Sequence, residues 1–241
     1  LARMREAGRL VRAVLDQLSA AAVAGVSTAE LDQLAEARTR EAGAIPAFKG
    51  YLGYPASVCI SVNEEVVHGI PSGRRLQDGD LVGLDFGAIL GGFHGDSAVT
   101  VVVGRGAPEA LRLVETTRAA LEAGVAAARA GNRVGDIGAA VQGVAEAAGY
   151  SVVREFVGHG IGRRLHEPPQ VPNFGLPGTG ERLLPGMVIA IEPMVNAGRH
   201  GVVTLDDGWT AVTEDGSLSA HFEHTVAITE AGPEVLTRMG T

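Results

Sequence analysis

The chain has one cysteine, Cys59, in 241 residues. That excludes an intrachain disulfide, and a lone thiol suits the reducing cytoplasm. Long apolar runs are also missing. None approaches the ~20 residues of a membrane helix, and no charged-then-apolar signal segment is present. Basic clusters are absent as well. With 20 Lys+Arg against 28 Asp+Glu and a net charge of −8, no stretch reads as a footprint for specific nucleic acid. Aromatics are scarce, at six Phe, three Tyr and one Trp. Glycine is abundant at 34 residues, yet it is spread through strand-and-turn segments and forms no low-complexity linker. At this length the chain buries a sizeable core, as one domain over 1–241 or as two fused halves.

What is present centres on Leu76 to Thr100, LQDGDLVGLDFGAILGGFHGDSAVT. The pattern predicts a strand ending at Asp85 and another passing through Asp96, with a Gly-rich turn from Gly87 to Gly95 between them. An ionised Asp at the end of a buried apolar strand is costly unless a positive charge compensates it. Two such acids on adjacent strands raise each other's pKa. A divalent metal would neutralise both, although either acid alone would serve equally well as a turn cap. The pattern then recurs. LLPGMVIAIE, Leu183 to Glu192, aligns with LQDGDLVGLD, Leu76 to Asp85, and His221-Phe222-Glu223 echoes His94-Gly95-Asp96. His159-Gly160-Ile161 echoes His68-Gly69-Ile70, and Gly131-Asn132-Arg133 echoes Gly25-Val26-Ser27. The expected organisation is a duplicated half, approximately 1–105 and 106–241, that brings Asp85, Asp96, Glu192 and Glu223 to one central cleft.

The remaining segments fall into place around this pair. Met4, Leu10, Val11, Val14, Leu15 and Leu18 keep helical spacing, and Ser27 with Glu30 forms a capping box for a second helix. Residues 109–149 repeat this helical pair, and both pairs read as scaffold. Phe48, Tyr51 and Tyr54 crowd a Gly/Pro-rich loop and are expected to line a pocket, while Val58, Ile60 and Val62 alternate as a strand with Cys59 on its other face. In FVGHGIGRRLHEPPQVPNF, Gly158, Gly160 and Gly162 lack the GxGxxG spacing of a nucleotide loop. The glycines flanking His159 are expected to let the backbone approach a ligand. His166 follows in a loop stiffened by Pro168, Pro169 and Pro172. Trp209 fits core packing or pocket lining equally.

Four carboxylates with the His159 imidazole make a hard, oxygen-rich ligand set. Structural zinc prefers Cys and His, whereas this set suits two divalent ions, with Mn, Fe(II), Co or Zn all compatible. Such pairs activate water, one carboxylate can take its proton, and His68 and His166 can donate to a scissile amide. The residues read as a metal-dependent hydrolase with an aromatic-lined pocket.

VVHGIP at Val66–Pro71, LDFGAILGGFHGDSA at Leu84–Ala98, GHGIG at Gly158–Gly162, IEPM at Ile191–Met194 and the FEH around Glu223 resemble type I methionine aminopeptidases over nearly the whole chain. The resemblance implies an α/β (α+β) "pita-bread" fold, in which pseudo-twofold duplicated halves form a central antiparallel sheet with helices packed outside. It also implies removal of the initiator Met from nascent polypeptide N-termini with two divalent ions per chain. Under it Asp85 chelates one metal, Asp96 and Glu223 bridge, and His159 with Glu192 completes the second. Glu192 is the proton shuttle, and His68 and His166 contact the substrate. Phe48, Tyr51, Tyr54, Cys59, Leu165 and Trp209 would build the methionine pocket, and a small second residue is expected in the substrate. A cytoplasmic monomer, in transient association with the ribosome, is the expected setting.

Some positions depart from that family. Leu165 stands where many members carry an aromatic, and Val67 where many carry Cys, both expected at the pocket edge. Pro168 to Glu181 is expected as a Pro/Gly-rich loop. Only 31 residues separate Glu192 from Glu223, which leaves no room for the helical insertion of type II members. An Xaa-Pro aminopeptidase or prolidase shares the ligand pattern but usually carries an additional N-terminal domain. A non-catalytic binding protein of this fold would be free to lose ligands, and here all five are present. A metal-free structural duplication founders on four unpaired buried acids.

Overall fold

The computed structural model describes residues 1–238. Apolar spacing and caps set the helices. α1 (Ala2–Ala21) buries Met4, Val11, Val14, Leu15 and Leu18, while Leu10 is partly buried. α2 (Thr28–Glu41) starts at Ser27, whose side chain accepts from the Glu30 N–H, while the Glu30 carboxylate accepts the Ser27 N–H at 2.8 Å. Such a reciprocal cap contributes roughly 1 kcal/mol. The second pair, α3 (Pro108–Ala127) and α4 (Val134–Ala147), repeats the lengths of the first, 20 and 14 residues. Leu113, Val114 and Leu121 face inward as expected, whereas Leu111 lies on the outer face.

The duplication extends to single hydrogen bonds. Leu76 ties the entry of α2 through Gly25 N–H to its carbonyl and its own N–H to the Val26 carbonyl, at 2.8 and 2.9 Å. Leu183 does the same for α4 through Gly131 and Asn132, at 2.9 and 2.8 Å. Both leucines are buried. Gly25 and Gly131 take φ +92 and +95, the left-handed region that a side chain disfavours.

Sheet pairing is antiparallel throughout the described ladders. In the first half, strand Leu81–Leu90 lies between Phe93–Val102 on one side and Cys59–Val62 with Ile45–Pro46 on the other. The expected end of the first strand at Asp85 is not found. It runs on to Leu90, and only Gly91 and Gly92, with φ +58 and +80, make the turn. Their positive φ values suit a tight two-residue hairpin, so the intervening Gly87 stays in the ladder, opposite Asp96. In the second half a five-stranded sheet runs from Gly232–Val235 through His224–Thr229, Val188–Ile191 and Gly158–Gly160 to Glu167–Val171. Pro168 to Val171 is therefore strand, not the expected loop, and it sits at the sheet edge where proline is tolerated.

The glycines beside His159 have a different purpose from the one expected. A Cβ on Gly158 would collide with the Ala190 carbonyl oxygen. One on Gly160 would collide with the Pro168 carbonyl oxygen and stand 2.8 Å from the Glu167 oxygen. They admit neighbouring strands rather than a ligand, and so hold His159 in register. Gly160→Ala is expected to cost about 2 kcal/mol of stability through overpacking, or roughly 4–8 °C in Tm for a chain this size. An unchanged Tm in a thermal melt would show that the strands are free to separate.

Candidate metal centre and adjoining pocket

Asp85 lies opposite Ala98, and Asp96 lies two residues before Ala98 on the same strand. The period-2 alternation of strands therefore puts both carboxylates on one face. Glu192 directly follows strand Val188–Ile191, and Glu223 stands at the break between Ser219–His221 and His224–Thr229. His159 is the middle residue of Gly158–Gly160. Ligand atoms of Asp96, His159 and Glu223 all lie within 4.8 Å of one another. The His159 Nε2 is 3.5 Å from Glu192 Oε1.

The two halves are stitched together at this point. Glu223 N–H donates to the Ala98 carbonyl at 2.9 Å, and Ser97 Oγ donates to the Glu223 carbonyl at 2.6 Å. Thr225 Oγ1 accepts from Asp96 N–H at 3.1 Å and donates to the Asp96 carbonyl at 2.7 Å. Thr100 Oγ1 treats His221 likewise, accepting at 2.9 Å and donating at 2.8 Å. Two threonine hydroxyls thus replace ladder bonds where the strands of the two halves meet, one on each side of the Ala98–Glu223 pair. Asn173 Nδ2 donates to the Glu192 carbonyl at 3.0 Å. These supports have little signature in sequence.

The electrostatics point to cations. Asp85 Oδ1, Asp96 Oδ1 and Glu223 Oε1 are buried without a hydrogen-bond partner. No Lys or Arg pairs with any of the four acids among the described residues. Burial pushes the Asp85 carboxyl up to about 7. Burial first and mutual repulsion second hold Asp96, Glu192 and Glu223 well above the usual carboxylate range. Burial also lowers His159 to about 4, and its Nδ1 lies 2.9 Å from the Gly160 carbonyl. That carbonyl can only accept, so Nδ1 carries the proton and Nε2 presents its lone pair toward the acids. Orphaned carboxylate oxygens beside a free imidazole lone pair are a donor set that fits divalent cations.

One cavity of about 170 Å³ joins these groups to the apolar residues. Phe48, Tyr51, Tyr54, Cys59, His68, Leu165, His166 and Trp209 line it together with Asp85, Asp96, His159, Glu192 and Glu223. All thirteen residues singled out in the sequence meet here. Phe48, Tyr54, Cys59 and Leu165 also form a hydrophobic cluster separate from the main core. Tyr54 is anchored by donating to the Gly69 carbonyl at 2.9 Å, and its ring meets Trp209 edge-on at 5.1 Å. Burial keeps the Cys59 thiol protonated. His68, at φ +62, is set edge-on against Phe156 and Trp209 and is lowered to about 4 by burial. Leu52 also lines the cavity, although it is 81% exposed, and nothing in its local sequence marks it. Val67 does not reach the pocket edge. It is buried with Val66, Val153, Met194 and Ala211, at the end of strand Glu65–Val67.

The profile of metallopeptidase family M24 matches residues 2–230. The chain belongs to this family. Over 236 residues it is 53% identical to methionine aminopeptidase 1 of Bacillus subtilis, covering 98% of this chain and 95% of that protein. It is 48% identical to methionine aminopeptidase 1 of Mycobacterium tuberculosis, covering 97% and 91%. Its structure superposes on the crystal structure of methionine aminopeptidase from Rickettsia prowazekii with a TM-score of 0.97 at 42% identity, covering 98% and 96%. The M24 chain accordingly has the pita-bread fold of duplicated halves. A prolidase from Pyrococcus horikoshii shares the fold at a TM-score of 0.78 and 23% identity, and the chain spans 62% of it.

The raised carboxylates make a test for metal binding. In metal-free protein Asp85 favours the fold fully below its ordinary 3.8 and loses that contribution as pH rises through about 7. A cation must displace those protons, whereas His159 is already neutral above about 4. The Tm gain on adding Mn or Co is therefore expected to grow from pH 5 to pH 7. The growth should be about 1.4 kcal/mol per pH unit for each proton displaced, roughly 3–5 °C at this chain length. A gain independent of pH would contradict binding at these acids.

Proposed function

We propose that this chain is a metal-dependent aminopeptidase that releases methionine from polypeptide N-termini. The observation that carries the reading is the junction in one cavity of a cation-binding acid cluster with an aromatic and thiol-lined apolar pocket. Relatives at about half identity over nearly the full chain, themselves methionine aminopeptidases, support it.

Asp85, Asp96, His159, Glu192 and Glu223 would hold two divalent ions (Co, Mn, Fe(II) or Zn). Such ions supply Lewis acidity and lower the pKa of water. The protein's own groups do the rest. Phe48, Tyr54, Cys59, Leu165 and Trp209 receive the methionine side chain, an unbranched thioether that fits irregular apolar pockets. Glu192, half-buried and open to the cavity, takes a proton from the attacking water and returns it to the departing amine. His68 and His166 donate to the carbonyl oxygen as it gains charge. The whole chain acts as one catalytic domain, with halves near 1–105 and 106–241. Its substrates are nascent chains met by a cytoplasmic monomer in transient association with the ribosome.

The deciding assay is hydrolysis of Met-Ala-Ser against Ala-Pro-Ala by chelated protein with Mn, Co, Fe(II) or Zn added back. Metal-restored release of methionine alone is the expected outcome, and release of the residue before proline would move the chain to the prolidase side. His166→Ala is expected to lower kcat by roughly 10²-fold, the scale of losing one oxyanion donor, with metal content by elemental analysis unchanged. Loss of metal in that variant would overturn the placement of His166 outside the ligand set.

A further inference from the structure

We infer that Tyr51 is a positioning residue whose hydroxyl fixes the tautomer of His166, leaving the other ring nitrogen as a hydrogen-bond donor facing the cavity. The inference deepens the aminopeptidase reading and rests on it. It gives Tyr51 a task other than lining the side-chain pocket.

The Tyr51 hydroxyl lies 2.7 Å from His166 Nδ1, and the two rings lie 5.3 Å apart, tilted by 36°. This is the sole hydrogen bond either side chain makes among the described residues. Two arrangements satisfy it: the phenol donates to Nδ1, or a protonated Nδ1 donates to the phenol oxygen. A phenol is a strong donor, and its oxygen is a poor acceptor because its lone pair is delocalised into the ring. An unprotonated imidazole nitrogen is a strong acceptor. With no other protein partner for either group among the described residues, this difference in donor and acceptor strength sends the phenol proton to Nδ1. The proton of neutral His166 then resides on Nε2. An imidazole that accepts at Nδ1 has its single N–H on Nε2, so the partner of Nδ1 decides what the ring presents to the cavity.

The consequence is specific to the role of His166. An Nε2–H can donate to a substrate carbonyl oxygen and to the oxyanion that follows. The opposite tautomer would aim a lone pair at that oxygen and repel it. The neighbouring imidazole shows the complementary arrangement. His159, whose ring centre is 4.2 Å from that of His166, carries its proton on Nδ1 because a carbonyl accepts there. Two adjacent imidazoles are thus set as opposite tautomers by opposite partners, one to present a lone pair and the other a proton.

The turn that carries Tyr51 is built to keep it in place. Tyr51 N–H donates to the Phe48 carbonyl and Tyr54 N–H to the Tyr51 carbonyl, both at 2.9 Å. Gly50 and Gly53 hold φ +86 and +91, and Leu52 between them takes φ +50. A leucine in the left-handed region is strained, and it persists only where the surroundings enforce it. The strain presents Tyr51 to the ring of a residue 115 positions away.

The test is Tyr51→Phe, which keeps the ring and removes the hydroxyl. In protein labelled with 15N-histidine, the His166 signals are identified by their loss in His166→Ala. The native protein should show a single Nε2–H form with an unprotonated Nδ1, and Tyr51→Phe should show a mixture of tautomers. On Met-Ala-Ser, Tyr51→Phe should lose roughly 5- to 20-fold in kcat, short of the 10²–10³ for deleting an oxyanion donor, with KM little changed. In the His166→Ala background the same change should cost nothing further. An unchanged tautomer in Tyr51→Phe would overturn the inference, as would an equal loss in the His166→Ala background or a loss confined to KM. If native protein releases no methionine, the function proposed above fails, while the nitrogen spectra still decide the tautomer.

Discussion

Four carboxylates converge in this molecule without a lysine or arginine to meet them. That repulsion is the constraint on which the rest depends. Each acid on its own would be held up by burial, and together they hold one another higher. A fold tolerates such a cluster only if the backbone beneath each acid is fixed independently of the charge, and if the charge has a partner when the protein works. The first condition is met by strand pairing and by hydroxyls. Asp85 sits between two ladder partners, and Thr225 and Thr100 clamp the strand carrying Asp96 to the one carrying Glu223. The second is met by divalent cations, which the orphaned oxygens and the free Nε2 of His159 are arranged to receive.

Duplication supplies the convergence economically. A single half ends one strand register with acids on one face, and a second half rotated against it brings an equivalent face opposite. The equal helix lengths and the matched bonds of Leu76 and Leu183 show that the halves share a local blueprint. Only the second half contributes an imidazole to the acid cluster among the described residues. His68, the sequence counterpart of His159, lies against Phe156 and Trp209 on the apolar side of the cavity. The copies thus differ in where they place their imidazole, one among the acids and the other against aromatic rings.

Most of this was readable in the residues. A strand of apolar residues closing on an acid, written twice, foretold the cluster, and Ser27 with Glu30 foretold the start of α2. The family likeness added the pocket residues that composition alone left open, such as Trp209. What escaped has a common cause. The threonine clamps bridge residues more than 120 positions apart through side-chain-to-backbone bonds that have no sequence period. Glycine marks turns, yet Gly87 stays in the ladder, where a Cβ would stand 2.8 Å from the Phe48 ring. Glycine also suits ligand approach, yet at Gly158 and Gly160 neighbouring carbonyls claim the space. In each case close packing from elsewhere in the fold decided the use of a residue whose local meaning was ambiguous.

The same logic limits what the fold itself says about substrate. Prolidases of Pyrococcus share this architecture at 23% identity, so the arrangement of strands and helices is compatible with more than one specificity. Discrimination must then lie in what surrounds the acids. Here that is the wall of Phe48, Tyr54, Cys59, Leu165 and Trp209, which forms its own small cluster apart from the main core. A wall that is not part of the main core can change its residues without disturbing the carboxylate frame. Leu165 is such a position, since it lies in the small cluster and not in the strands under Asp85 and Asp96. The charge cluster demands rigid backbone and the pocket demands only apolar fit, so the two can vary separately within one fold.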